Sequence, residues 1–324
     1  MAENVVIAET EDGVRLDRWL KKHYPAVPFG NLQKILRTGQ LRVDGKRVKG
    51  DARLVKGQQI RIPPQLSGTG PGDKKHVSGK DAGFIRSLVL YEDDAVIAIN
   101  KPAGLASQGG SKITRHVDGM LEGLAVDGVK PHLVHRLDKD TSGVMLLARN
   151  PQMAKKMGAL FQGRDIRKYY WAITVPAPKL HQGKIKSVIA KTAGADGEKM
   201  RPAEDDKGKT ALTYYQVLET AGTKLAWVAF WPRTGRTHQI RVHALEMGCP
   251  LLGDYKYERR QDLLEETPDL PKILHLHARR IILPHPVTGK TLDITAPLDK
   301  TMRKTWEFFN FNPDDKTDPF LDVE

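Results

Sequence analysis

The chain has 324 residues, with 52 Lys and Arg against 39 Asp and Glu, a formal net charge of +13. Its length predicts about two domains, and a hydrophobic content of 40% is ample to give them cores. No apolar run reaches membrane-spanning length, the start MAENVVIAETEDG lacks the basic and apolar regions of a secretion signal, and Cys249 as the one cysteine excludes an internal disulfide framework or a cysteine zinc cluster. The expectation is a cytoplasmic protein with a polyanionic partner.

The charge is concentrated near the N-terminus: residues 13–62 carry thirteen Lys and Arg against three Asp and Glu. Leu16, Trp19 and Leu20 fall at helical spacing, with Arg18, Lys21 and Lys22 on the other side and Pro25 as the stop. A second helix is expected from near Pro28 through Leu32, Ile35 and Leu36, ending at Gly39. LRVDGKRV then predicts two short strands around Asp44-Gly45, and Lys56-Gly57 another turn before QQIRI. Residues 63–80 are rich in Pro, Gly, Ser and Lys and are expected to be a linker. The glycines at 68, 70 and 72 do not make a dinucleotide loop, because no strand precedes them and no amphipathic helix follows.

A large domain is expected over residues 81–310. LVLYEDDAVIAIN predicts two strands around Glu92-Asp93-Asp94, and VMLLAR a buried strand. Asn150 as N-cap and Pro151 at the first helical position start a helix with Ala154, Met157, Leu160 and Phe161 on its apolar face. YYWAITV, KIKSVIA, TALTYYQVLE, KLAWVAFW, RIILPH and TLDITA are strand candidates rich in β-branched and aromatic residues. Lys191 to Lys209 has no apolar period and is expected to be a mobile hairpin loop. THQIRVHALEMG predicts a helix capped by Thr237 and closed by Gly248. Hairpin-like strands with occasional helices predict an α+β fold around a largely antiparallel sheet. The acidic segment 311–324 is expected to be a loose tail with no assigned role.

Two polar clusters stand out. HLVHRLDKDTSGVMLLARN places Asp138 and Asp140 in a loop just before a buried strand, where a rigid scaffold presents side chains. Asp138 is either a turn former or a reactive carboxylate. A metal site built on His132 and His135 fits poorly, because a strand would turn them to opposite faces. HRLD is no kinase loop, since Leu and Asp stand in reversed order and no asparagine follows at the right distance; nor does the chain contain the G-x-S-x-G elbow of a serine hydrolase. The second cluster, RTGRTHQIRVH, carries Arg233 and Arg236 in a loop and His238, Arg241 and His243 on a helix. It is either a solvated basic helix or the cationic partner of the carboxylate.

RLDRWL, KILRTGQLRVDGKRVK and LVKGQQIRI together resemble the S4 RNA-binding module, so residues 13–62 are expected to grip RNA backbone. The resemblance implies contacts from Lys34, Arg37, Thr38, Arg42, Lys46 and Arg47. INKPAGLASQGG, HRLDKDTSGVMLLARN, RKYYWAIT, RTGRTHQIRVHA, LLGDYKY and LHLHARRIILPHPVTGK resemble the pseudouridine synthases, over nearly the whole chain. An S4 module ahead of such a domain is most similar to bacterial enzymes acting on large-subunit 23S ribosomal RNA.

That resemblance implies an S4 module joined by a linker to a mainly antiparallel mixed-sheet catalytic domain. It implies Asp138, Tyr170 and Arg241 as catalytic residues, Tyr170 matching the K-x-Y-x-A pattern beside Tyr169. Substrate contacts are expected from Arg136, Thr141, Arg236, His238 and Gln239. The implied reaction breaks the N1–C1′ bond of a flipped uridine, turns the uracil and rejoins it through C5, with no cofactor, metal or membrane involved. Asp138 acts there as nucleophile at C1′ or C6, or as base at C2′, held ionised by Arg241, while Tyr170 stacks on the uracil. The partner is ribosomal RNA of the large subunit or its assembly intermediates, and the chain is expected to be monomeric. The alternatives are a non-catalytic ribosome-assembly factor, which binds RNA without turnover, and a base-removing hydrolase, which releases free uracil.

Overall fold

The apolar spacing of the first 62 residues produces the two helices it predicts. The structure is a computed structural model, which describes residues 3–321 except 25, 26, 28, 65, 67–76, 111, 112, 164, 195, 196, 205, 206 and 260. The chain divides into two compact units, Met1–His76 and Val77–Glu324.

The smaller unit contains β1 (Glu3–Val6), α1 (Leu16–His23), α2 (Phe29–Thr38), β2 (Arg42–Val43) and β3 (Gln59–Ile62). Its antiparallel sheet has the order β1-β3-β2, so a strand outside the expected segment 13–62 completes it. Leu16, Trp19, Leu20, Leu32, Ile60 and Ile62 form its buried core. Asp44 and Gly45 both have positive φ, and Val43 and Lys46 exchange backbone hydrogen bonds across them, the geometry of a two-residue primed turn. Pro25 and Pro28, expected at the helix boundaries, and most of the expected linker lie outside the described residues. The linker's last residues are helical: α3 (Gly79–Ser87) is capped by Ser78, whose Oγ accepts from the Asp81 N–H.

The larger unit continues with β4 (Val89–Glu92), β5 (Val96–Lys101), α4 (Val117–Met120), β6 (His132–Leu133), β7 (Ser142–Ala148), α5 (Pro151–Gln162) and β8 (Arg167–Thr174). It then forms β9 (Gln182–Gly194), β10 (Gly197–Pro202), β11 (Lys209–Ala221), β12 (Leu225–Pro232) and α6 (Gln239–Glu246). The last elements are α7 (Asp262–Glu266), β13 (Leu276–Pro284), β14 (Thr291–Thr295) and α8 (Lys300–Phe308). Eleven strands make one sheet in the order β10-β9-β11-β12-β8-β13-β7-β5-β4, with β14 on β13 and β6 on β7. Among the described strands the only parallel ladder is β13 with β7, through His277↔Ser142 and Ala278↔Gly143. The fold is the expected α+β arrangement around a mainly antiparallel mixed sheet. No helix among the described residues is long and apolar enough to cross a membrane.

Three local expectations are corrected. Lys191 to Lys209 is not a loop: β9 and β10 pair from Gly197↔Gly194 to Pro202↔Ile189. An edge ladder is built from backbone hydrogen bonds and needs no apolar alternation, so its polar sequence hid it. Thr237 does not cap α6; His238 holds the cap position in the left-handed region, at φ 54°. The described part of the C-terminal segment, residues 311–321, is not loose. Phe311 and Phe320 are buried against the sheet, Asp314 pairs with Arg303, Asp318 with Arg280, and Arg279 donates to the Asp315 carbonyl. The acidic residues that marked it as a tail are the groups that dock it.

Gly143 sits at the parallel joint with φ 111°, and a Cβ placed there would collide with the Ala278 backbone. Gly143→Ala is therefore expected to destabilise the larger unit by about 3 kcal/mol or more, read as a lower denaturation midpoint.

Candidate active site

Asp138 lies in the loop between β6 and β7, and the residues on both sides of it are pinned. The Ser107 hydroxyl donates to the Leu137 carbonyl at 2.6 Å and accepts from the Leu137 N–H at 3.1 Å. On the other side, the Lys101 ammonium donates to the carbonyls of Lys139, Pro102 and Leu105 at 3.1, 2.9 and 2.7 Å. Lys101 is fully buried, and burial draws its pKa down to about 7 against the pull of Asp140 and Asp138. The Thr141 N–H closes the turn on the Asp138 carbonyl at 3.2 Å. Neither Ser107 nor Lys101 was among the expected site residues. Both lie in the stretch INKPAGLASQGG, whose resemblance marked the segment without giving either residue a role.

The facing wall comes from β8. Successive residues point to opposite sides of the sheet, so Tyr170 lines the cavity with Asp138 while Tyr169 packs on the other face against Trp231 and Phe320. Burial, then the charge of Asp138, raises the Tyr170 hydroxyl, which stays neutral at physiological pH. His135 stacks on Phe161 and its Nε2 accepts from the Leu146 N–H at 2.8 Å, a structural use of that nitrogen. Among the described residues no group of three His, Cys, Asp or Glu is arranged to hold a metal ion.

The third wall is the turn into α6. Gln239 borders the cavity, but its side chain is saturated. Its Nε2 donates to the Leu212 carbonyl and the Thr213 hydroxyl, and its Oε1 accepts from Thr234 Oγ1 and the Arg236 N–H. It shapes the loop rather than presenting a free amide, which corrects its expected substrate contact. The Arg236 guanidinium donates to the Thr210 carbonyl through Nε and reaches the cavity edge. His238 Nε2 stands 3.8 Å from Asp138 Oδ2. Arg241 does not pair directly with Asp138, as was expected; it makes a buried bidentate pair with Asp254 at 2.8 and 2.5 Å. Burial works against its charge, but Asp254 outweighs that and raises its pKa. Tyr257, also unanticipated, lies under the Arg241 guanidinium at 5.0 Å and touches His238.

These walls enclose a cavity of about 590 Å³. Asp138 is its only carboxylate among the described lining residues, against Arg136, Lys168, Arg236 and Arg241. A third of the Asp138 side chain remains open to it. Burial pushes the carboxyl above its ordinary range, while Arg241, Arg136, Lys101 and Lys256 pull it back toward ionisation. One carboxylate facing a neutral aromatic in a basic cleft suits a substrate that brings negative charge and a planar ring.

In the smaller unit, Lys34, Arg37, Thr38, Arg42, Lys46 and Arg47 are all exposed. Lys34, Arg37, Arg47 and Lys49 line one concave patch, where Arg47 donates to the Arg37 carbonyl. Arg42 donates to the Gly45 carbonyl in the hairpin turn. The Thr38 hydroxyl donates back to the Lys34 carbonyl, so it cannot also donate to a phosphate.

The chain is similar to known proteins in sequence and in fold. Residues 95–246 match the family model described as RNA pseudouridylate synthase. The chain is 38% identical over 294 residues to the ribosomal large subunit pseudouridine synthase C of Rickettsia bellii (strain RML369-C), covering 88% of this chain and 94% of that protein. The protein of the same name from Salmonella typhi is 33% identical over 306 residues, covering 94% and 95%. Among solved structures, human RNA Pseudouridylate Synthase Domain Containing 4 superposes with a TM-score of 0.60 at 31% identity, over 71% of this chain and 97% of that one. The chain belongs to the RNA pseudouridylate synthase family.

Asp254 is 1% exposed and Arg241 5%, so removing the anion leaves a buried, unpaired guanidinium. Asp254→Asn is expected to cost about 3–5 kcal/mol of stability in urea unfolding.

Proposed function

We propose that this RNA pseudouridine synthase isomerises uridines of large-subunit ribosomal RNA in the cytoplasm, acting as a monomer with Asp138 as its essential group. The observation that carries the reading is the lone carboxylate of the cavity, held beside Tyr170 and surrounded by cations without being captured by one. The relatives are ribosomal large subunit pseudouridine synthases by name, which supports the large subunit as the substrate's source.

The target uridine leaves its helix and enters the cavity, its phosphates reached by the exposed Arg136 and by Arg236 at the rim. Asp138 then breaks the N1–C1′ bond by attack at C1′ or C6, or by proton removal at C2′. Each route needs the ionised form, which the surrounding cations favour against burial. Tyr170 stacks on the uracil, and its neutral hydroxyl relays the proton that leaves C5, accepting it while passing its own to water. Product and substrate are isomers, so the balance needs no group donor. The smaller unit is read as an S4 module whose patch holds RNA backbone through Lys34, Arg37 and Arg47.

Asp138→Asn is expected to release no tritium from C5-labelled uridine RNA and to form no pseudouridine, while RNA affinity changes by less than about twofold. Full activity of that variant overturns the assignment; wild-type binding without turnover favours the assembly factor, and release of free uracil the hydrolase. Replacing Lys34, Arg37 and Arg47 together by Ala is expected to weaken RNA binding. The slope of log affinity against log salt should flatten by about one unit for each phosphate that is no longer neutralised.

A further inference from the structure

His238 is held where α6, the Asp138 loop and β10 meet. Its Nδ1 lies 2.7 Å from the Tyr257 hydroxyl, and its Nε2 faces Asp138 Oδ2 at 3.8 Å. The same hydroxyl is 3.2 Å from the backbone N–H of Met200 on β10. Met200 can only donate there. A phenol carries one proton, and among the described residues Tyr257 Oη has no third partner.

That count decides the tautomer. Were the ring proton on Nδ1, both His238 and Met200 would donate into the half-buried hydroxyl, and its own proton would have no acceptor among the described residues. With Nδ1 bare, Met200 donates to the hydroxyl, the hydroxyl donates to Nδ1, and every group is satisfied. Burial, with Arg241 and Lys256 adding to it, holds the His238 pKa at about 4, so the ring is neutral at physiological pH and has a single N–H.

We infer that Tyr257 is a positioning residue that fixes His238 as the Nε2–H tautomer, so that His238 donates to Oδ2 of Asp138 and leaves Oδ1 as the oxygen that reacts. The role deepens the proposed function, since it rests on Asp138 as the reactive carboxylate. The 3.8 Å separation is longer than a hydrogen bond; catalytic hydrogen bonds commonly start long and tighten when substrate closes the site. The backbone serves the same end. His238 adopts φ 54° and ψ 21°, an uncommon conformation for a non-glycine residue, and it aims the ring across the cavity at Asp138 instead of along α6. Because Met200 belongs to β10, seating of the edge hairpin on the Tyr257 hydroxyl completes the chain of donors.

The tautomer is read directly from long-range 1H–15N correlations of the His238 ring in 15N-labelled protein. A protonated Nε2 and a bare Nδ1 are expected, and in Tyr257→Phe a mixture of both forms. Phe keeps the ring beneath Arg241, so the fold is retained. With a large-subunit ribosomal RNA transcript, this variant is expected to lose roughly tenfold to a hundredfold in kcat at unchanged KM. A second pair of variants separates a donor from a backbone role. Gln places an amide N–H near the position of Nε2, whereas Asn places it near Nδ1 but is the better residue for the left-handed backbone. His238→Gln should therefore keep more kcat than His238→Asn, the reverse of what a structural role alone would give. A protonated Nδ1 in the wild type, wild-type kcat in Tyr257→Phe, or Asn exceeding Gln overturns the inference. The ring spectrum needs no turnover, so failure of the wild type to form pseudouridine counts against the proposed function and not against the tautomer.

Discussion

The buried pairing of Arg241 with Asp254 sets the electrostatics of the whole cavity. Two opposite charges almost without exposure satisfy one another through a bidentate contact and tie α6 to the turn that follows Leu251. Held this way, the guanidinium cannot swing onto Asp138, yet its charge still acts there through space. A carboxylate gripped by two N–H groups has both oxygens occupied and is a poor nucleophile or base. At this site the ionising influence and the hydrogen-bonding partner are separate groups, so the cations oppose the rise that burial gives Asp138 while its oxygens stay available.

The same separation of roles runs through the supporting residues. Ser107 and Lys101 hold the backbone on either side of Asp138 and do not touch its carboxylate. Gln239 uses both donors and both acceptor positions to shape the loop from Thr234 to Arg236. Polar groups satisfied before substrate arrives need no rearrangement when it does, which is the physical content of preorganisation.

What could be read from the sequence was whatever rests on local rules. The Asp44-Gly45 turn, the Asn150-Pro151 start of α5 and the period-two strands follow from backbone preferences within a few residues. The contiguous motifs, through the family resemblance, pointed to Asp138, Tyr170 and Arg241, and the fold brings all three to one cavity. What was missed depends on distant partners. Asp254 stands thirteen positions beyond Arg241, and no spacing rule selects it over the other carboxylates. The β9–β10 ladder and the docked segment around Phe320 have polar sequences whose order comes from neighbours far away in the chain. The left-handed His238 departs from the Ser/Thr cap rule, its ring facing Tyr257 and Asp138 rather than capping the helix.

The narrow joint between β13 and β7 has a further consequence. Only two residue pairs connect these strands, whereas six join β13 to β8 and six join β7 to β5. Asp138 enters from the β7 side of this joint, and Tyr170 and Arg241 from the β8 and β12 side. Backbone pairing in the sheet is thus short along the line that separates Asp138 from Tyr170 and Arg241. The distance from Asp138 to Tyr170 and Arg241 therefore depends on packing at this joint, where Gly143 meets the Ala278 backbone, as well as on the residues that line the cavity.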